Sequence, residues 1–291
     1  MAARFHILRA KHLGMCFGVR DAIQLALSHA KSAPLTVLGD LVHNEAVLAT
    51  LRSNGIATAR DPDHVATPTV MITAHGASER RLAETRARGL DVVEATCPLV
   101  QVAHRAIQAL RRDGYHPVII GQRAHVEVRG LTEDLDCFDV VLDDADVDAL
   151  TERRRIGVAA QTTQPIGRVR HLVGLIRRRF PQSDVRFVDT VCQPTKQRQD
   201  AAVELSRRSD VVIVIGGAHS NNTRELVAVC GRHCGRVHHV QGEADLRCEW
   251  FDGDVRVVGI TAGTSTPDEV IDRVEGRIRE FERESAVVEI A

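Results

Sequence analysis

The 291-residue chain carries 38 Lys and Arg against 39 Asp and Glu, and 44% of its residues are hydrophobic. This length and apolar content predict a globular chain of roughly two domains, while the balanced charge and the 3% of aromatic residues disfavour nucleic-acid and membrane surfaces. No apolar run approaches a membrane span and residues 1–21 lack a signal-peptide pattern, so we predict a cytoplasmic protein with neither a nucleic-acid nor a membrane partner.

Short apolar runs alternate with helical patterns along the chain, which predicts parallel sheets covered by helices. Three cysteines stand where such a run gives way to a predicted helix, and these are Cys16 in GMCFGVRD, Cys97 in EATCPLVQ and Cys192 in DTVCQPTK. In the second of these helices Pro98 suits the first turn, and apolar residues recur at helical spacing at Leu99, Val102, Ala103, Ala106 and Leu110. The three cysteines therefore share one structural context.

The next predicted strand in each copy ends in a glycine, and Gly39, Gly121 and Gly216 follow their cysteines by 23, 24 and 24 residues. These glycines open the segments GDLVHNE, GQRAHVE and GGAHSNN. His43 and His125 each lie four residues after their glycine, and the third copy offers Ser220, Asn221 and Asn222 in the corresponding region. Such repetition indicates that these polar residues belong to one recurring loop.

A third strand-to-helix turn closes each copy, with His75 in TAHGAS, Thr162 in QTTQP and Ser265 in TAGTSTPDE. The run at residues 265–269 combines a cap, a proline and first-turn acids, which is typical of a helix start. Nine strand ends in three unequal copies predict three α/β lobes around a pseudo-threefold axis rather than a solenoid. The predicted lobes comprise residues 1–97, 98–192 and 193–285, followed by a tail at 286–291.

Ligands of parallel α/β sheets bind beyond the carboxyl ends of the strands, where all three cysteines are predicted to lie. If the lobes meet with those ends inward, Cys16, Cys97 and Cys192 converge and can hold three irons of a [4Fe-4S] cluster, leaving the fourth open for a substrate oxygen. Three cysteines and a water would equally satisfy a catalytic zinc. Three unrelated buried cysteines are the plain alternative, which the common register disfavours. Cys230 and Cys234, around His233, are predicted to be structural.

The polar groups in the same loops indicate an anionic ligand. His43, His75 and His125 can donate hydrogen bonds, whereas Ser220, Asn222 and Ser265 are predicted near helix N-termini, which attract phosphate. Glu127, desolvated beside a cluster, should have a raised pKa and act as a proton donor, with Thr162 relaying a proton to a bound alcohol. The alternatives are solvated loop histidines and a first-turn glutamate that stabilises the helix dipole.

Nine ordered segments between residues 8 and 280 make this chain resemble the 4-hydroxy-3-methylbut-2-enyl diphosphate reductase family. The segments are MCFGV, VHNEAV, TAHGAS, EATCPLV, HVEVRG, QTT, DTVC, HSNNTREL and TAGTSTPD. The resemblance implies an α/β trefoil of three lobes with small parallel sheets around a central iron-sulfur cluster on Cys16, Cys97 and Cys192. It also implies reduction of 4-hydroxy-3-methylbut-2-enyl diphosphate to isopentenyl and dimethylallyl diphosphates, the terminal step of the non-mevalonate isoprenoid pathway.

The same resemblance implies roles for individual residues. Glu127 would supply protons, assisted by His125, and Thr162 would hold the substrate hydroxyl. The diphosphate would be bound by His43, His75, His125, Ser220, Asn221, Asn222 and Ser265. Reduced ferredoxin or flavodoxin is implied as the electron donor.

Five residues differ from the family's usual pattern, namely Gln122, Val126, His219 and the adjacent Gln193 and Pro194. They leave open a divergent paralogue that reduces a related allylic diphosphate. Two further hypotheses also remain, a redox-neutral cluster lyase of the quinolinate-synthase type and a non-catalytic cluster sensor. An absolute requirement for reductant separates the reductase from the lyase, and turnover separates it from the sensor.

Overall fold

A computed structural model describes residues 5–288, within which there are twelve β-strands and ten α-helices. The strands are β1 His6–Arg9, β2 Leu35–Leu38, β3 Ala57–Ala59, β4 Thr69–Ile72, β5 Asp91–Glu94, β6 His116–Ile120, β7 Asp139–Val141, β8 Arg155–Ala160, β9 Asp184–Phe187, β10 Val211–Ile215, β11 Val237–Val240 and β12 Val257–Ala262. The helices are α1 Phe17–Ala30, α2 Glu45–Ser53, α3 Glu79–Ala87, α4 Pro98–Arg112, α5 Val126–Thr132, α6 Asp144–Asp148, α7 Ile166–Arg179, α8 Gln193–Ser206, α9 Asn221–Gly231 and α10 Asp268–Val288.

The strands form three parallel four-stranded sheets that share one topology. Their orders are β3-β2-β4-β5, β7-β6-β8-β9 and β11-β10-β12-β1. In each sheet the chain leaves the second position for an edge and crosses back to the third. The next strand along the chain fills the opposite edge in the first two sheets, and β1 fills it in the last. The predicted class of small parallel α/β sheets is therefore present, but each copy has four strands where the sequence predicted three strand ends.

The first strand belongs to the sheet that the last third of the chain forms. β1 pairs with β12, and the amide of His6 donates to the carbonyl of Arg256 at 2.7 Å. The predicted first lobe comprised residues 1–97. Its first strand, β1, pairs instead with the sheet of the third copy. The other lobe boundaries stay a prediction. Of the predicted tail at 286–291, α10 includes the backbone to Val288 and residues 289–291 lie outside the described part.

The chain forms two compact units. One contains the described residues 5–16, 43–47 and 193–288, including the sheet with β1, and the other contains residues 17–42 and 48–192, including the two remaining sheets. Each sheet has an apolar centre: all five residues of β10 and the last four of β6 are buried, as expected for strands covered on both faces. Cys230 and Cys234 are packed in the core beside β10, which fits their predicted structural role.

Helix α4 shows how the sequence pattern translates into packing. Pro98 occupies its first turn as predicted, and Val100, Ala103, Ile107 and Leu110 are its buried face. Val102, which the spacing assigned to the apolar stripe, is 44% exposed. Ala103 and Leu110 are therefore buried as predicted, whereas Val102 falls beside the buried face, because residues three and four apart share a helix face. None of the helices within residues 5–288 is long and apolar enough to cross a membrane.

Candidate functional site

The three cysteines occupy equivalent positions in their sheets. Each follows the fourth strand of its sheet and immediately precedes a helix, α1, α4 or α8. In all three copies the cysteine amide donates to a carbonyl in the turn after the third strand, with N···O distances of 3.0 Å for Cys16 to Thr264, 3.1 Å for Cys97 to Ala74 and 3.0 Å for Cys192 to Thr162. This shared backbone bond confirms the common register that the sequence indicated.

All three thiols are half-buried, and none of them is in a disulfide. Their position at the start of a helix favours a negatively charged ligand nearby, because helix N-termini present unpaired amide groups. The Cys97 thiol also packs closely against α1: a Cβ placed on Gly18 would overlap its sulfur. Glycine at position 18 therefore allows the thiol to lie where it does.

Glu127 and Thr162 form a buried pair beyond the carboxyl ends of β6 and β8. The amide of Thr162 donates to Glu127 Oε1 at 2.7 Å, and the Thr162 hydroxyl donates to Oε2 at 3.0 Å. Their exposed fractions are only 1% and 4%. Burial raises the pKa of Glu127 from 4.5 to about 7, against the opposing effect of the two hydrogen bonds from Thr162. The raised pKa that the sequence predicted is therefore present.

His75 follows β4 and His125 follows β6, so each lies beyond the carboxyl end of a strand, and the two side chains contact each other. Their rings contact edge to face, with centroids 5.5 Å apart and planes at 85°. His125 caps α5, because its Nδ1 accepts the amide hydrogen of Glu127 at 3.1 Å. In a neutral ring that accepts at Nδ1, the hydrogen is on Nε2, which leaves Nε2 as a donor. The GQRAHVE segment of the second copy thus places a hydrogen-bond donor, His125, two residues before a buried acid, Glu127.

The residues predicted from the third copy lie around the start of α9. Ser220 caps this helix, and its hydroxyl accepts from the amide of Thr223 at 3.3 Å. Asn222 Oδ1 accepts from the amide of Thr264 at 3.0 Å, whereas its buried Nδ2 has no hydrogen-bond partner within the described residues. Asn221 beside it is also buried. A buried amide nitrogen without an acceptor is uncommon in proteins and is suited to donate to an anion.

His43 and Ser265 meet in the same compact unit. The Ser265 hydroxyl donates to the carbonyl of His43 at 3.4 Å, and a Cβ on Gly217 would overlap that carbonyl. Ser265 is buried three residues ahead of α10, which begins at Asp268 within the predicted helix-start run. Ser265 therefore follows β12, as the repeat predicted, whereas His43, which follows β2 in the chain, packs against the third copy at Gly217 and Ser265.

Comparisons with known proteins agree with this geometry. A model of the LytB protein family matches residues 7–279. The chain belongs to the LytB family. Among curated relatives, the 4-hydroxy-3-methylbut-2-enyl diphosphate reductase of Pelobacter propionicus is 36% identical over 281 residues, covering 96% of this chain and 99% of that protein. The enzyme of the same name from Aquifex aeolicus is 35% identical, covering 94% and 96%.

Two solved structures share the fold of this LytB-family chain. One is (E)-4-hydroxy-3-methyl-but-2-enyl diphosphate reductase, the terminal enzyme of the non-mevalonate pathway, with 34% identity, a TM-score of 0.68, and coverage of 94% of this chain and 99% of that one. The other is E-1-hydroxy-2-methyl-but-2-enyl-4-diphosphate reductase from Plasmodium falciparum, with 26% identity, a TM-score of 0.86, and coverage of 93% and 86%. The predicted fold class is confirmed, and the LytB-family chain is an oxidoreductase.

The positions that differ from the usual family pattern have simple structural roles in this LytB-family chain. The backbone amide of Gln122 donates to Gln161 Oε1 at 3.1 Å. Val126 is the first residue of α5, a position that also accommodates proline. His219 is exposed just ahead of the Ser220 cap. Pro194 lies in the first turn of α8. None of these four side chains disturbs the Glu127–Thr162 pair.

Arg198 is a buried residue to which the sequence assigned no role. On α8, its Nε and Nη2 donate to the carbonyl of Gly14 at 3.0 and 2.8 Å, and its Nη1 donates to the carbonyl of Pro194 at 3.0 Å. Gly14 precedes Cys16 by two residues, so the guanidinium fixes the loop that carries this thiol. The only sequence signal was an arginine six residues after Cys192, in a helix that otherwise looked ordinary.

The raised pKa of Glu127 predicts a specific dependence of stability on pH. The folded protein binds this proton more tightly than the unfolded chain, so its stability falls as pH rises from 4.5 to about 7, by about 3 kcal/mol in total. Glu127→Gln removes this titration and should therefore gain stability relative to the native protein across that window. Thermal unfolding at a series of pH values measures the difference. Glu269→Gln, at an exposed first-turn glutamate of α10, is the control; identical pH profiles for all three proteins would contradict the prediction.

The sequence predicts Cys97 as a metal ligand, and its close approach to Gly18 predicts that Gly18→Ala would impair metal binding there. The new methyl group must displace the sulfur or α1, because buried atoms this close cannot both keep their positions. We expect a clear fall in iron bound per chain after anaerobic reconstitution. Gly276→Ala adds the same methyl group on α10, where nothing lies within 4 Å, and should bind iron normally. Equal iron content in the two variants would contradict the prediction.

Proposed function

We propose that this protein catalyses the reductive dehydroxylation of 4-hydroxy-3-methylbut-2-enyl diphosphate to isopentenyl and dimethylallyl diphosphates, the terminal step of the non-mevalonate pathway. One observation carries the proposal. Thr162 donates both its amide and its hydroxyl to the buried Glu127, while its own carbonyl accepts the amide of Cys192. A proton donor with a pKa of about 7 is thereby linked through a single residue to a cysteine in the position expected of a metal ligand.

The thiols of Cys16, Cys97 and Cys192 fit an iron-sulfur cluster by their chemistry and by their surroundings. Cysteine thiolates are the ordinary ligands of such clusters. The thiols share one backbone position in three sheets, and Gly18 allows the Cys97 thiol to lie against α1. We assign to them one [4Fe-4S] cluster, which when bound supplies electrons and an open iron site for the substrate oxygen. A zinc ion on the same three thiols could not deliver the electrons that this reaction requires.

Recognition of the diphosphate is assigned to hydrogen-bond donors in the loops that follow the strands. His75 and His125 contribute ring N–H groups, and in His125 the hydrogen is on Nε2 when Nδ1 accepts from the amide of Glu127. The unsatisfied Nδ2 of Asn222 supplies a further donor. The remaining proposed contacts come from His43, Ser220, Asn221 and Ser265. Neutral donors and helix N-termini bind phosphate oxygens without requiring lysine or arginine in these loops.

Glu127 is assigned the proton-transfer role. Loss of the hydroxyl as water, together with protonation of the carbon skeleton, consumes two electrons and two protons for each substrate. The carboxyl group of Glu127 is half protonated near pH 7, which suits an acid that must donate and then be reprotonated in each cycle. The Thr162 hydroxyl, 3.0 Å from Oε2, is placed to pass a proton between this carboxyl and a bound alcohol. Reduced ferredoxin or flavodoxin is the proposed electron source, and the cytoplasm the proposed location.

Anaerobic turnover tests this function. The purified protein with its cluster is mixed with 4-hydroxy-3-methylbut-2-enyl diphosphate and a reduced viologen dye, and oxidation of the dye is followed while the products are identified. We expect substrate-dependent oxidation that yields both five-carbon diphosphates. Conversion without reductant would instead support a redox-neutral lyase. Binding without any turnover would overturn the enzymatic assignment for this substrate and direct the test to related allylic diphosphates.

A further inference from the structure

A cavity lies at the amino ends of β6 and β8, whereas Glu127 and Thr162 lie beyond the carboxyl ends of the same strands. Its volume is about 620 Å³, and its lining includes Tyr115, His116, Cys137 and Arg153. His116 and Arg155 are the first residues of β6 and β8, whereas Glu127 and Thr162 follow the ends of those strands. Strands of this length separate the two sites by roughly 15 Å. The cavity is therefore distinct from the candidate active site.

Positive charge dominates this cavity. Its lining contains four arginines against the single acid Asp136, and the arginines are Arg111, Arg153, Arg154 and Arg155. Arg111 pairs with Asp136 at 3.3 Å, and Arg155 lies 4.0 Å from Asp184. The guanidinium groups of Arg153 and Arg154 have no hydrogen-bond or ion-pair partner among the residues that the structure describes. Two unpaired arginines facing one cavity are suited to bind an anion.

Cys137, His116 and Asp139 interact in series beside this cavity. Cys137 is exposed, and its Sγ lies 3.7 Å from His116 Nδ1. The opposite ring nitrogen, Nε2, lies 2.8 Å from Asp139 Oδ2. When Nε2 donates its hydrogen to this carboxylate, Nδ1 is left to accept the thiol proton. A nucleophile, a base and a group that orients the base are thereby arranged in order.

We propose that Cys137 is a thiol–disulfide exchange site for small anionic disulfides. The thiol proton passes to His116 Nδ1, and the Cys137 sulfur attacks one sulfur of the disulfide. A new S–S bond forms to Cys137 while the ligand's own S–S bond breaks, so that Cys137 is oxidised and the departing half leaves as a thiolate. Arg153 and Arg154 hold the carboxylates of the incoming disulfide. This site does not depend on the proposed reductase function.

Cys248 provides an internal comparison. It is also exposed, but its Sγ lies 3.7 Å from the carboxylate oxygen Glu249 Oε2 instead of a histidine. A carboxylate repels an anionic reagent. The two cysteines are thus both exposed, but Cys137 lies beside a histidine in an arginine-lined cavity and Cys248 lies beside a carboxylate.

The test follows modification at both cysteines in the cluster-containing protein, kept anaerobic, by peptide mass spectrometry. With glutathione disulfide, we expect Cys137 to react about tenfold faster than Cys248, and the advantage to shrink at high salt. The double variant Arg153→Gln/Arg154→Gln should lose about tenfold in rate with glutathione disulfide and keep its rate with the neutral 2-hydroxyethyl disulfide. His116→Asn should slow both reagents.

Equal rates of reaction with glutathione disulfide at Cys137 and Cys248 would overturn the proposal. So would an unchanged rate at Cys137 in the Arg153→Gln/Arg154→Gln variant. The arginine variant keeps the test decisive if His116→Asn fails to fold. Because the measurement reads a mass shift at one peptide, it is independent of substrate turnover. Failure of the reductase assignment would therefore leave this result interpretable.

Discussion

Glu127→Gln should retain the metal centre and lose about 10² to 10⁴ in turnover rate, the range expected when a positioned proton donor is removed. The amide side chain has nearly the same shape and can keep both links to Thr162, accepting from its amide and donating to its hydroxyl. It has no acidic proton to give. Steady-state rates with reduced viologen, measured on protein of equal iron content, check this expectation.

Two controls make the Glu127 result specific. Glu269→Gln changes an exposed glutamate on α10 in the same way and should leave turnover unchanged. Thr162→Val retains the backbone amide bond to Glu127 but removes the hydroxyl, so it should also reduce the rate if the hydroxyl relays the proton. Near-native turnover in Glu127→Gln would show that the proton comes from another group.

Replacement of any one of Cys16, Cys97 and Cys192 by serine should abolish the visible absorbance of the iron-sulfur cluster and all turnover. Three thiolates hold the cluster in the proposed site, and a serine hydroxyl is a much poorer ligand for iron. Absorbance and iron content after anaerobic reconstitution provide the measurement. All three variants should behave alike, because their amides make the same backbone bond in the three sheets.

Cys137→Ser is the matched control for the cysteine series. Cys137 is exposed at the amino ends of β6 and β8, at the opposite end of this sheet from the turn that makes the backbone bond to Cys192. This variant should keep its cluster and its turnover. A loss of absorbance as large as that of the other three variants would contradict the equivalence of Cys16, Cys97 and Cys192.

The local repeat is readable from the sequence because both of its components leave strong signals. Buried parallel strands appear as short apolar runs, and strand-to-helix turns concentrate glycine, proline and capping residues at fixed distances. Cysteine-to-glycine spacings of 23 or 24 residues are therefore enough to identify equivalent positions in the three copies. The pairing of Glu127 with Thr162 also follows, since both lie beyond neighbouring strands of the same copy.

Features that depend on long-range contacts are not readable in this way. The pairing of β1 with β12 joins segments some 250 residues apart, and four residues of β1 carry no mark of their partner. Short strands such as β3 and β7 escape prediction because three residues are too few to show a period. The role of Arg198 arises only when α8 packs against the loop at Gly14.

The sequence correctly marks Gly121, at the end of β6, as a special position, but the reason for glycine there differs from the predicted one. Its place after an apolar run predicts a sharp turn at Gly121, and Gly39 in the first copy does adopt a φ of 96°. Gly121 has no such backbone requirement. A Cβ there would stand 2.8 Å from Gln161 Cβ and 2.9 Å from Val128 Cγ2, so packing against the neighbouring turn is what demands glycine. Close approach between segments cannot be distinguished from turn geometry by composition alone.

The central claim is that one metal centre on Cys16, Cys97 and Cys192 both holds the electrons and receives the substrate. Mössbauer spectroscopy of protein reconstituted anaerobically with ⁵⁷Fe, before and after addition of 4-hydroxy-3-methylbut-2-enyl diphosphate, tests this most directly. We expect a four-iron spectrum in which one iron differs from the other three and only that one changes when substrate is added. A four-iron centre that the substrate leaves unchanged, or stoichiometric zinc in place of iron, would contradict the claim.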